Sequence, residues 1–119
     1  MDLRAILEEI VQIKGLTSVA FVGEDGFVIE SAAAEGASVD LDFLGGVASS
    51  SLAAGAALAE FFGKGDVAQV MIEFAEGPVL LAPIGAGSVL ATLDSSQNLG
   101  RVRFQLKKYL PRLAEAAAA

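Results

Sequence analysis

The chain has 119 residues, 54% of them hydrophobic and 19% charged, and a net charge of −7. Such a length and composition suit one domain with one core, and exclude the polar, highly charged chains that cannot bury enough apolar surface to fold. With neither Cys nor His there is no disulfide, thiolate, imidazole base or His-metal site, and the acidity opposes binding to phosphate backbones.

The charge is unevenly placed. Residues 15–100 carry eleven acids against Lys64 alone, whereas residues 101–119 carry five bases and only Glu115. The N-terminus opens with Asp2 and an amphipathic pattern rather than with positive charge and an apolar run, so no signal peptide and a cytoplasmic protein are expected. The apolar stretch 44–59 is expected to be too short, and too rich in Ser and Gly, to span a membrane.

Leu3, Ile6, Leu7, Ile10 and Val11 recur at helical spacing, which predicts a first helix over residues 2–14, capped by Asp2 and closed at Gly15. Residues 17–22 and 27–31 are β-branched or aromatic runs joined by Gly23-Glu24-Asp25-Gly26, and the Asp-Gly pair predicts a hairpin. Asp40 then caps a predicted second helix over residues 41–62, closed by Gly63-Lys64-Gly65. Three strands follow, at 67–74, 78–84 and 88–94. Their connections, Ala75-Glu76-Gly77 and Gly85-Ala86-Gly87, are short enough to force antiparallel neighbours. A last helix is predicted over residues 98–116, with Leu99, Val102, Leu106, Leu110 and Leu113 in one stripe and Pro111 expected to kink or fray its final turns. The order is α-β-β-α-β-β-β-α.

Strands four and five are apolar on successive residues, so both faces of the sheet must be covered by helices. Strand two alternates with Glu30, and strand three sets Gln69 and Glu73 opposite Val70, Ile72 and Phe74; these two are the predicted edges. An open edge is a liability unless paired, and strand three, free of proline, is suited to pairing with its copy in a second subunit.

Helix 2 is the most informative segment. One stripe, Leu41, Leu44, Ala48, Leu52, Gly55, Ala59 and Phe62, predicts a core face, and beside it lies a second apolar stripe of Phe43, Val47, Ala54, Leu58 and Phe61. One sheet cannot easily cover both. The second stripe is therefore expected to meet the same helix of a two-fold-related subunit, which gives a dimer interface of Phe43, Val47, Ala54, Leu58 and Phe61 with Val67, Gln69, Met71 and Glu73 of strand three. The remaining side carries Asp42, Gly45, Gly46, Ser49, Ala53, Ala56 and Glu60, nearly all small, a smooth surface that another backbone can approach.

Other motifs have plainer explanations. Gly63-Lys64-Gly65-Asp66 lacks the upstream glycine and the Ser/Thr of a phosphate-binding loop, Gly85-Ala86-Gly87-Ser88 reads as a hairpin turn, and Asp40 and Asp42 read as helix caps rather than a cation pair. Ser49-Ser50-Ser51 has no base to activate it. The run Arg101, Arg103, Lys107, Lys108 and Arg112 suits the last turns of a helix as a solvated face, or else meets an acidic partner. No catalytic residue, cofactor site or metal site is expected.

The N-terminal helix ending near Gly15, the hairpin Gly23-Glu24-Asp25-Gly26 followed by Phe27-Val28-Ile29, and the long small-residue helix 2, in this order, resemble the roadblock / dynein light chain family over essentially the whole chain. Within it the chain is similar to the bacterial MglB-like group, which regulates a Ras-like small GTPase. The resemblance implies a single α/β (α+β) domain over residues 1–119. It implies a five-stranded antiparallel sheet with helix 2 on one face and helices 1 and 3 on the other, and a homodimer joined through strand three. It also implies a non-catalytic regulator or scaffold whose MglA-type GTPase partner docks on the helix 2 face, with Asp42, Gly46, Ser49, Ala53, Ala56 and Glu60 as the contact residues. All four arginines fall on helices 1 and 3, so helix 2 brings no arginine to a docked partner. The alternatives are an adaptor of the same family that assembles another complex, and a small-molecule sensory module.

Overall fold

In the computed structural model, which describes residues 2–35 and 44–118, Asp2 begins the first helix as its sequence suggests, the side chain accepting a 2.8 Å hydrogen bond from the amide of Ala5. Helix α1 spans Leu3–Ile10 and stops short of residue 14, the chain turning through residues 11–15 with Gly15 at φ +103°. The next elements are β1 (Leu16–Gly23), β2 (Val28–Ala33), α2 (Leu44–Phe62), β3 (Val70–Ile72), β4 (Val79–Ile84), β5 (Gly87–Leu93) and α3 (Leu99–Ala118), the last entered through a 3-10 turn at Ser96–Asn98.

The Asp-Gly hairpin forms as predicted. Gly26 adopts φ +86°, its amide reaches the Gly23 carbonyl at 3.0 Å, and the Asp25 carboxylate accepts from the Phe27 amide at 3.1 Å. All pairings are antiparallel and the strand order is β2-β1-β5-β4-β3, which leaves β2 and β3 at the edges and buries β1, β5 and β4 between them. Because side chains alternate along a strand, β1 sends Val19 and Phe21 to one face and Ala20 and Val22 to the other; β5 divides Val89 and Ala91 from Leu90, and β4 divides Leu80 from Leu81.

The first face is covered by α1 and α3, which bury Leu7, Ile10, Val102, Leu106 and Leu113 against the sheet. On the second face, among the described residues, α2 adds Ala48 to a small buried cluster with Ala20, Val22, Leu81 and Leu90, and Leu44 and Leu52 pack half-buried against it. Between the middle strands, Ser18 is fully buried and bonded to the Thr92 hydroxyl at 2.5 Å, and Thr17 reaches that hydroxyl at 2.6 Å, so these polar atoms are satisfied.

Several expectations are corrected. Strand three was expected over 67–74 but pairs only over Val70–Ile72; continuing its register would set Ala68 opposite Pro83, which has no N–H to give. Pro111 does not end α3, which continues to Ala118. The donor that Pro111 lacks would have served the Lys107 carbonyl, and both residues are exposed, where water can take its place. By length and composition α2 is long and apolar enough to cross a membrane, contrary to the expectation for 44–59; here it lies on the sheet. The predicted cap Asp40, together with Leu41, Asp42 and Phe43, lies outside the described residues.

Candidate functional site: an apolar helix beside an open sheet edge

The contact between α2 and the sheet depends on glycine. Gly45 is buried where the helix crosses the β1–β2 hairpin, and a Cβ there would collide with the Gly26 carbonyl oxygen. Gly45 therefore belongs to the packed side of α2, not to the smooth outer side where the stripe pattern put it. Further along, a Cβ on Gly55 would come within 3.1 Å of Val70, so the helix also lies close over β3. Ser51 settles its hydroxyl on the Val47 carbonyl at 2.9 Å, which lets a polar residue sit in the helix without a tertiary partner.

The second apolar stripe stays uncovered. Val47 is 54% exposed, Leu58 61% and Phe61 82%, with Ala54 exposed among them. Phe62, expected on the core face, is also exposed at 63%, because the last turn of α2 beyond Ala59 carries no buried residue; Phe61 and Phe62 stack edge to face at 5.0 Å. Beside the helix, Met71, Ile72 and Phe74 are exposed on or next to β3. Of the ten large apolar side chains left exposed among the described residues, four lie on α2 and three on or beside β3. Such a concentration is unlike the scattered apolar residues of an ordinary surface.

A groove of about 780 Å³ separates α2 from the β3 segment, bordered by Ala54 and Leu58 on the helix and by Val67, Gln69 and Met71 on the other side. Five residues of the predicted dimer interface thus surround one feature. Val47 lines a smaller apolar pocket of about 160 Å³ with Ile72, Phe74, Leu81 and Leu90, and Glu73 stands exposed just after β3. The other predicted contact set divides. Ser49, Ala53 and Ala56 line a groove of about 650 Å³ on the opposite flank of α2 with Pro83 and Gly85, Gly46 joins Val47 and Ser50 on the crest, and Glu60 is exposed beyond both.

Sequence reasoning missed Arg103. Although it is on α3, on the far side of the sheet, it reaches round the short β3 edge and lines the large groove with Leu58 and Gln69. Lys64 and Asp66, set aside as a failed phosphate loop, border the same groove. A strand of ordinary length would have screened Arg103 from α2; no signal in the sequence announced that β3 is so short.

The β2 edge differs. Glu30 on that strand lies 3.8 Å from Arg4, Arg4 pairs in turn with Glu8 at 3.2 Å, and Ala32 and Ala34 pack against the α1/α3 core. At the contact of α1 with α3, Glu9 accepts from Arg112 at 3.1 Å and from the Tyr109 hydroxyl at 3.3 Å; burial first, and then the Glu9 charge, raise the Tyr109 phenol above its usual pKa. No group of three or more acidic side chains able to hold a metal ion occurs among the described residues.

The comparisons fit this architecture. The sequence profile of the Roadblock/LC7 domain matches residues 3–94. The uncharacterized protein MJ0310 of Methanocaldococcus jannaschii is 33% identical over 103 residues, covering 87% of this chain and 89% of the relative. Among solved structures, Myxococcus xanthus MglB superimposes with a TM-score of 0.83 at 24% identity, covering 95% of this chain and 92% of its own. The gliding protein MglB of Thermus thermophilus gives 0.86 at 24% identity, covering 98% and 88%. A profile spanning both edge strands and the exposed helix, with the same three-helix, five-stranded open sheet in the solved structures, places this chain in the Roadblock/LC7 domain family.

Proposed function

We propose that the chain is a non-catalytic, cytoplasmic homodimer that regulates or scaffolds a Ras-like, MglA-type small GTPase. The observation that carries this reading is the uncovered apolar stripe of α2 lying beside an open, apolar β3 edge. An exposed edge strand and an exposed helix flank side by side favour a self-complementary partner, because a two-fold axis along their boundary covers both at once. In that dimer Val47, Ala54, Leu58 and Phe61 face their copies, and Val67, Gln69, Met71 and Glu73 follow the strand seam.

The other flank of α2 is left for the GTPase: Gly46, Ser49, Ala53, Ala56 and Glu60. Small side chains there let a partner approach closely, and the acidity of residues 15–100 suits a GTPase surface rich in Lys and Arg. Arg103 borders the groove that the second subunit fills, so the chain is read as adjusting the GTPase's own groups rather than lending it a catalytic arginine.

Two measurements test the proposal. Light scattering should give twice the 12.1 kDa chain mass for the wild type and the single mass for Leu58→Asp. Calorimetry with a purified MglA-type GTPase should show micromolar or tighter binding that Ala53→Arg abolishes while leaving the dimer intact. A monomeric wild type removes the dimer, and absence of binding at micromolar concentration removes the GTPase.

A further inference from the structure

We propose that Glu73 and Arg103 pair across the seam between two subunits; the inference rests on the homodimer reading above. Met71 stands opposite Leu80, which points into the α1/α3 core, while Val70 and Ile72 stand opposite Leu81 and Val79 on the α2 side. By the alternation of a strand, Met71 projects toward the α3 side, and Gln69 and Glu73 stand two residues before and after it, just outside β3. There Gln69 shares a groove with Arg103 and Lys107, one helical turn apart on α3. The start of the β3 segment is therefore positive and its end, at Glu73, negative.

Neither Glu73 nor Arg103 has an ion-pair or hydrogen-bond partner within the subunit among the described residues, and both are exposed. Strand β3 is centred on Met71, so a two-fold axis at that residue sets Glu73 of one copy opposite Gln69 of the other. That places each Glu73 carboxylate beside the other copy's Arg103, twice per dimer. The same arrangement accounts for a polar Gln and Glu on an otherwise apolar edge: they lie at the ends of the seam, where each meets charge from the other copy.

The test is the dissociation constant of the full-length dimer by analytical ultracentrifugation at low salt, for the wild type, Glu73→Arg, Arg103→Glu and the double charge swap. Each single reversal places like charges together at two equivalent sites and is expected to weaken the dimer about tenfold, an effect that fades in 1 M salt. The swap restores opposite charges and should return the constant to within about threefold of wild type. Single variants that dissociate like a dimeric wild type, or a swap as weak as the two singles combined, overturn the charge pair while leaving the dimer standing. A wild type monomeric at every concentration overturns the homodimer reading itself, and the pair with it.

Discussion

The two faces of the sheet show how differently apolar sequence can be used. Among the described residues, the sheet builds a core cluster of sixteen buried residues against α1 and α3, whereas against α2 it builds one of five. Yet α2 carries the longest apolar stretch of the chain, and α3 is studded with Arg and Lys. Helix α3 turns one stripe, Val102, Leu106 and Leu113, fully inward and leaves charge outside, so its amphipathicity is satisfied within the subunit. Helix α2 meets the sheet through Gly45 and Ala48, with Leu44 and Leu52 half-buried beside them, while Val47, Leu58, Phe61 and Phe62 stay exposed. Buried apolar contact is therefore concentrated on the first face and exposed apolar surface on the second.

The sharpest way to break that contrast is a cavity on each side. Leu7→Ala, in the α1/α3 core and fully buried, should cost about 2–5 kcal/mol in urea unfolding, and a loss under 1 kcal/mol would show that this face is not the structural one. Next comes Gly45→Ala. The new methyl meets backbone rather than a side chain that could swing away, so α2 must lift from the hairpin at a cost of about 1–3 kcal/mol, measured the same way. By contrast Leu58→Ala, made in the monomeric Val47→Asp background, should shift subunit stability by no more than about 0.5 kcal/mol, since the side chain is 61% exposed. A larger loss would mean that the outer stripe supports the fold of the subunit itself.

The smallest effect concerns the joint between α1 and α3. Tyr109 is the chain's single tyrosine, so an absorbance titration reads it alone, and it should ionise above the ordinary value of 10.0. A raised pKa means the folded state favours the neutral phenol: the stabilisation is present below the unfolded pKa and is lost as pH rises through the folded one. Glu9→Gln removes the neighbouring negative charge and should move the midpoint down; an unchanged midpoint would leave burial as the sole cause.

Much of this architecture was legible from local chemistry. The Asp2 cap and the Asp25-Gly26 turn are fixed by neighbours a few residues away and lie where the sequence put them, and the turn expected at Gly85-Ala86-Gly87 forms one residue shorter, with Gly87 already in β5. Edge and centre strands were also readable, because a strand covered on both faces must be apolar at every position while an edge tolerates Glu30 or Glu73. The misses have another origin. Phe62 lies at the right angle for the core but one turn past the sheet that should receive it, β3 was drawn too long because Pro83 is its neighbour only in the folded register, and Arg103 entered the groove because of that shortness.

The sequence by itself determined the order of helices and strands, both edges of the sheet, and an α2 with more apolar surface than one sheet can cover, because periodicity and turn chemistry act over a few residues. Only the tertiary structure decided that Gly45 packs on the hairpin, that Phe62 overhangs, and that Arg103 lies beside Gln69. Those depend on contacts between segments distant in the chain, where a stripe fixes which side chains share a face but not what meets it.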